Sequence, residues 1–452
     1  MEGLSQKMIK IIETAKDTDL RLTETNAIIN KRMKGSINNI ISIDKRKSYQ
    51  SMVGFGGAFT EATSYTLSRM SDVKREKVIS AYFDTQKGLN YSIGRIPIHS
   101  SDFALGNYTY IEEGDKELKT FDIAHERKWT IPLIKEASKM RGESINLLAS
   151  PWSPPAFMKD TKEMNNGGKL LPEYYDAWAN YYIRFIKGIT KEGLSIFALT
   201  VQNEPAAAQT WDSCVYSAEE ERDFVKDYLG PKLHESELED LQLFIWDHNR
   251  DVIVERATTV LNDTVANGYV HGVGVHWYVS EEFEKLSQVH DAFPDKHILF
   301  TEGCQEGGVH LGSWLTGERY GRNMIGDFNN WCEGYLDWNL VLDETGGPNH
   351  VGNFCDAPII ADTTTDELHF NSSYYYIGHF SKYVQPGAER VHSENNTELL
   401  CVSFINPDLS VVTVLQNESE NDRTIKIISD AEFCVKIKAR SIVTIVEENM
   451  EA

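Results

Sequence analysis

Two glutamates stand where an ordinary solvated glutamate does not belong. Glu204 lies in Thr200-Val-Gln-Asn-Glu204-Pro205, where an apolar run meets an amide, a carboxylate and a strand-stopping proline. Glu302 lies in Phe300-Thr-Glu302-Gly303, directly after another apolar run. Either one alone reads equally well as an ion pair or a helix cap. Together they suit glycosidic bond cleavage, in which one carboxylic acid protonates the leaving oxygen and one carboxylate attacks the anomeric carbon.

Other apolar runs also end in polar and aromatic groups. They include Arg95-Ile-Pro-Ile-His99-Ser-Ser-Asp102-Phe103, Ser150-Pro-Trp152, Val275-His276-Trp-Tyr278 and Asp337-Trp338-Asn339. A sugar presents a ring of hydroxyls and an apolar C–H face. Carboxylates and amides bind the first, and aromatic rings stack on the second. So many such residues at successive run ends are hard to explain as packing alone.

Eight short runs must position these groups: 53–59, 91–98, 145–149, 196–202, 243–246, 272–277, 298–302 and 336–340. Their length and continuity suit strands buried on both faces of a parallel sheet. Helical spacing fills 122–140, 174–189 and 252–265. Eight strands alternating with helices predict an α/β fold, a (β/α)8 barrel whose site lies at the C-terminal strand ends. The rival, a doubly wound open sheet, usually has fewer strands and an early phosphate loop. Gly54-Phe-Gly-Gly57 has neither the GxGxxG spacing nor a downstream GK[ST], so it is not read as one.

Residues 381–452 lose the helical period. Short strands are expected at 399–404, 411–415, 425–428, 433–437 and 442–446, with a further strand at 39–44. The predicted organisation is a barrel over 51–380, inserted between two parts of an accessory β-sandwich, 1–50 and 381–452.

The 452 residues carry a net charge of −23, which repels phosphate backbones and anionic surfaces. Nucleic acid is excluded as the main partner, and no apolar run is long enough to span a membrane. The six cysteines form no CxxC pair or Cys/His cluster, so no metal and no cofactor is expected. Reduced thiols and an apolar-poor 1–19 segment suggest a cytoplasmic setting, or a secreted one if a signal has been removed. Cys304 is expected to be a packed buried thiol, Asp356 a structural acid and Glu219–Glu221 the solvated start of a helix. Oligomeric state stays open.

The ordered motifs resemble glycoside hydrolase family 30, and within it the glucosylceramidase (acid β-glucosidase) group. They run from Gly54-Phe-Gly-Gly-Ala-Phe-Thr-Glu61 through Asn203-Glu-Pro205, Val275-His-Trp-Tyr278 and Glu302-Gly-Cys304 to Asn353-Phe-Cys-Asp-Ala-Pro358 and Gly378-His-Phe-Ser-Lys382. The resemblance covers about residues 50–390. It implies double displacement with retention, Glu204 as acid/base and Glu302 as nucleophile. It places Asp102, Phe103, Trp152, Asn203, Tyr278, Trp338 and Asn353 on the sugar, with Asn203 at the 2-hydroxyl and Asp102 at the far hydroxyls. Arg95, His276 and Tyr278 would position the nucleophile. Arg95 would keep Glu302 ionised, and nearby negative charge would raise Glu204. The substrate expected is a terminal β-glucoside, as a carbohydrate or glycolipid. A β-1,6-glucan, a β-xyloside or β-fucoside, and a non-catalytic sugar-binding barrel are the alternatives. Family members that are lysosomal carry N-terminal disulfides, whereas this chain has no cysteine before Cys214.

Overall fold

The computed structural model describes residues 7–26, 28–29 and 38–449. All eight expected runs are strands: β1 Gly54–Ala58, β2 Ile93–Ile98, β3 Asn146–Pro151, β4 Ser195–Thr200, β5 Gln242–Asn249, β6 Gly272–His276, β7 His297–Glu302 and β8 Cys332–Asn339. They close into a parallel barrel in chain order. Every residue of β1, β2 and β6 is buried, which is why these runs are continuously apolar rather than alternating.

The glycines of β1 serve this closure. A Cβ on Gly56 would lie 1.8 Å from the Ile93 carbonyl oxygen, and one on Gly57 would lie 2.7 Å from Leu340. Close backbone approach accounts for the Gly-Phe-Gly-Gly run without any anion.

β5 runs three residues past its expected end at Trp246. Trp246 and Asp247 take φ values of 70° and 50°, and pairing with β6 slips between Gly274 and Val275. Such a bulge re-aims side chains at the rim of a barrel.

The helices follow the expected spacing with breaks. Residues 122–140 form two helices, Ala124–Lys128 and Thr130–Arg141, the second ended by left-handed Gly142. Tyr175–Lys191 buries Trp178, Tyr181, Tyr182, Phe185 and Ile189 on one face. Residues 252–265 divide into Ile253–Leu261 and the start of Thr264–Tyr269. Ala218–Phe224 starts with a Ser217–Glu220 capping box, as the acidic run suggested. Glu221 is not solvated, however. It is fully buried, accepts the Trp246 N–H at 2.8 Å and pairs with Arg256 at 3.0 Å.

The second compact unit is a ten-stranded sheet over one apolar core that includes Ile11, Ile41, Val391, Leu415, Ile425 and Val443. The five expected tail strands are present. Four strands were not foreseen: Lys7–Ala15, Thr23–Thr25, Ile28–Ile29 and Glu389–Asn395. Lys7–Ala15 pairs along its whole length with Ser441–Asn449, so the two ends of the chain complete one sheet. The 39–44 strand extends over Ile40–Ser51.

Each compact unit is assembled from separate stretches of chain. The barrel unit comprises 55–309 and 335–370, and residues 310–334 and 371–380 group with the sandwich strands. Helix Trp314–Asn329 explains the first grouping. Asn329 donates to the Cys401 carbonyl at 2.9 Å, Gln416 donates to the Glu318 carbonyl at 2.9 Å, and Arg440 pairs with Glu318 at 2.6 Å. Helical spacing identifies a buried face but not the body that buries it.

Candidate active site

Strand ends β2 to β8 bring the expected residues around one pocket of about 280 Å³. Its walls include Asp102, Trp152, Asn203, Glu204, Tyr278, Glu302, Trp338 and Asn353. Glu302 is the last residue of β7. Glu204 lies in a turn beyond β4 with φ 49°, a left-handed conformation that costs a non-glycine residue free energy. The Glu204 N–H donates to the Asp247 carbonyl at 3.1 Å, and the Glu204 carbonyl accepts from Ala207 at 3.0 Å. These bonds hold the turn, which places the carboxylate in the pocket.

A carboxylate oxygen of Glu204 lies within 4.8 Å of one of Glu302. Retaining glycosidases place their carboxyl groups about 5–5.5 Å apart, whereas inverting ones leave about 6.5–9.5 Å for a water. The spacing here admits direct attack by a carboxylate.

Arg95 organises the nucleophile side. It is fully buried, and its five N–H donors are all used. Nη1 donates to Glu302 Oε2 at 2.7 Å and to the Thr301 carbonyl at 3.1 Å. Nη2 donates to Asp247 at 2.7 Å and Asn203 at 3.1 Å, and Nε donates to Ser150 at 3.1 Å. Its guanidinium lies 4.9 Å from the Trp152 ring centroid and 5.7 Å from that of Trp338. Tyr278 donates to the other Glu302 oxygen at 2.9 Å. Both nucleophile oxygens are therefore fixed.

His276 serves the other carboxylate. Its Nδ1 lies 3.3 Å from Glu204 Oε1 and its Nε2 lies 2.9 Å from Asp247 Oδ1. It makes no hydrogen bond to Glu302, so its expected role as a positioner of the nucleophile is corrected: it holds the acid/base. Burial pushes the imidazole pKa down, but Glu302, Asp247 and Glu204 outweigh burial and raise it to about 9. Burial likewise pushes Glu204 up, while the His276 hydrogen bond and the His248 and His276 charges hold it down to about 2. The expected raising of Glu204 is thus also corrected. The 3.3 Å contact lets Glu204 and His276 share a proton. Burial pushes Glu302 above its ordinary value, against the charges of His276 and Arg95. The two carboxylates and His276 titrate as one coupled group.

Asp247 was missed because the fifth run was ended at Trp246. It is fully buried and accepts from Arg95, His276, Thr301 at 2.5 Å and Thr200 at 2.8 Å. Burial pushes it up, but Arg95 and His276 hold it well below the usual carboxylate range. One ionised aspartate therefore ties the cation on the nucleophile to the cation on the acid/base. An acid directly after an apolar run was the signal that could have found it, as it found Glu302. Gln209, which donates to Glu204 Oε2 at 3.2 Å, lies in a loop with no such signal.

At the far wall Asp102 accepts from Asn349 at 3.1 Å and Asn353 at 3.2 Å. Burial and the Glu302 charge raise its carboxyl to about 8. Trp152 and Trp338 stack at 5.0 Å with 14° between their planes. Phe103 does not face the pocket. It is fully buried and sits edge-on to Trp338, centroids 5.9 Å apart, so it supports a sugar-binding ring rather than the sugar. Cys304 is buried, as expected, and also lines the pocket.

Among the described residues Glu204, His276 and Glu302 offer the one three-ligand set that could converge on a metal ion. Both His276 nitrogens already face carboxylates, and Arg95 already faces Glu302. Protonated side chains supply the positive charge that a metal would bring.

A barrel with two close carboxylates at its mouth, one held by arginine and tyrosine and one by histidine, defines a retaining glycosidase. The chain matches the glycosyl hydrolase family 30 TIM-barrel domain over residues 52–384 and the family 30 beta sandwich domain over residues 387–445. It belongs to glycoside hydrolase family 30. It is 35% identical to the lysosomal acid glucosylceramidase of Mus musculus, covering 85% of this chain and 78% of that protein. The structure of SrfJ from Salmonella typhimurium is 36% identical, with a TM-score of 0.93 over 98% of this chain and all of that one. The endo-β1,6-glucanase BT3312 is 29% identical, with a TM-score of 0.87 over the same shares.

The geometry accounts for double displacement. Arg95 and Tyr278 fix the two Glu302 oxygens in the pocket. Double displacement needs one carboxyl group to protonate the leaving oxygen while another attacks, and Glu204 and Glu302 are two carboxyl groups that meet in this pocket. Asn203 is fixed by Arg95 at a pocket wall, where it can bond the hydroxyl beside the reacting carbon. Such a bond acts most as charge develops.

Proposed function

We propose that the chain is an exo-acting β-glucosidase that removes a terminal β-glucosyl group, with a glycolipid of the glucosylceramide kind as its substrate class. The observation that carries this reading is Asp102, held by Asn349 and Asn353 at the pocket wall, where it can bind the hydroxyls farthest from the scissile bond. A carboxyl group there closes the subsite to a longer sugar chain. The pocket volume, just below the range of about 300–1,000 Å³ for small-molecule sites, fits one sugar ring. Val279, which is 63% exposed and lines the same pocket, offers apolar surface to a lipid aglycone. The relationship to the mouse glucosylceramidase supports the same class.

A second reading is endo-1,6-glucanase action, favoured by the likeness to BT3312. The test is a panel of aryl β-glucoside, β-xyloside, β-fucoside and β-galactoside with an α-glucoside control, run beside a β-1,6-linked glucan. Cleavage of the β-glucoside, followed by release of glucose from glucosylceramide, is expected. Activity on the glucan with none on any aryl glycoside would overturn the exo reading.

A further inference from the structure

Cys304 and Cys355 line the pocket from two different loops. The loops run antiparallel: Glu306 pairs with Cys355, the Asp356 N–H donates to the Gln305 carbonyl at 2.8 Å, and the Gly308 N–H donates to the Phe354 carbonyl at 2.9 Å. Counting back from the Glu306–Cys355 pair puts Cys304 on the same face as Cys355, its diagonal neighbour. The two residues sit in one apolar cluster with Trp152 and Trp338. No disulfide joins them. The hydrolysis described above uses neither.

We propose that Cys304 and Cys355 are a dithiol modification site in the pocket wall, where reaction with a low-molecular-weight disulfide closes a Cys304–Cys355 bond and reversibly stops turnover. The Cys355 thiolate attacks one sulfur of the small disulfide, its S–S bond breaks, and a small thiolate leaves as a mixed disulfide forms. Cys304 gives its proton to that released thiolate. The Cys304 thiolate then attacks the Cys355 sulfur, the mixed S–S bond breaks, and the second small thiolate leaves and takes up the proton that Cys355 had lost to water. Two protein thiols are oxidised, and one disulfide is reduced to two thiols. The Cys355 contact and burial hold the Cys304 thiol well above its ordinary value, so Cys304 suits the second, intramolecular step better than the first.

Closure would act on both halves of the site. Cys304 Sγ lies 3.6 Å from the Tyr278 hydroxyl, which is bonded to Glu302. Cys355 Sγ lies 3.8 Å from the Asn353 carbonyl, and Asn353 holds Asp102. Drawing the sulfurs to bonding distance, about 2.05 Å, shifts the holder of the nucleophile and the holder of the far hydroxyl subsite together.

The experiment exposes the full chain to oxidised glutathione, follows hydrolysis of whichever β-glycoside it turns over, and maps disulfides by mass spectrometry. The expected result is loss of most turnover, a Cys304–Cys355 crosslinked peptide and recovery on reduction. Cys355→Val, compared with its own untreated rate, should show no such loss. A wild type that keeps both thiols unlinked, or an equal loss in a folded Cys355→Val, would overturn the proposal. Should Cys355→Val fail to fold, the wild-type peptide map decides by itself. Glutathione attached at half-buried Cys434 with turnover intact would count against the pair.

Discussion

At the level of single residues, the site divides its charges by function. Glu302 faces Arg95 and Tyr278, while Glu204 faces His276 and Gln209. Glu302→Gln keeps the shape but removes the attacking charge, so turnover should fall by orders of magnitude in a stopped aryl-glycoside assay with Tm little changed. Glu204→Gln removes general acid catalysis, worth about 10²–10⁴-fold. Its loss should be larger for alkyl than for nitrophenyl leaving groups, which need little protonation. Asp247→Asn removes a negative charge that helps raise His276 to about 9. The basic limb of the pH–rate profile, where His276 loses its proton, should move to lower pH. An unchanged limb would show that Asp247 does not raise His276. The same groups affect stability. His276 is raised from 6.5, so its contribution is full below about pH 6.5 and is lost as pH rises through about 9. Asp102 is raised from 3.8 to about 8, so the folded state also loses stability as pH rises across that window. The Tm should therefore fall toward alkaline pH, with a shallower fall in Asp102→Asn by calorimetry.

At the level of elements, glycines mark the places where backbone contacts leave no room. Gly56 in β1 lies against the Ile93 carbonyl of β2, and backbone cannot yield as a flexible side chain does. Gly56→Ala should disrupt barrel closure and leave little soluble protein on expression. Gly321 lies inside helix Trp314–Asn329, where alanine would ordinarily help by about 1 kcal/mol. A Cβ there would fall 1.9 Å from Gln416 Oε1 and 2.9 Å from Tyr376. Overpacking costs about 1–3 kcal/mol, so Gly321→Ala should lower the Tm despite its better helix propensity. The eight barrel runs were legible because strands buried on both faces must be continuously apolar. The bulge in β5 was not legible. It depends on how that strand meets β6, and it is what brings Asp247 into the site.

At the scale of the whole molecule, the two ends of the chain share one sheet. Lys7–Ala15 lies between Thr23–Thr25 and Ser441–Asn449 and buries Ile11 in the sheet core. Removing residues 1–25 should leave Ser441–Asn449 as an unpaired edge. A lower Tm and concentration-dependent aggregation by light scattering are the expected outcome. The chemistry is tested at the same scale by its product. A retaining enzyme releases the β-anomer first, which proton NMR resolves before mutarotation, and an initial α-anomer would rule out attack by Glu302.

What the sequence alone determined was whatever a local pattern must reveal: eight buried strands, the carboxylates that follow two of them, and the polar and aromatic residues at the other ends. Burial and strand polarity act on each segment separately, so they leave their mark residue by residue. The tertiary structure decided which groups meet. His276 turns to Glu204 rather than Glu302, Phe103 turns away from the pocket behind Trp338, and Asp247 joins the two halves of the site. Each of these depends on side chains from different strands converging across the barrel, and the distance along the chain carries no record of it.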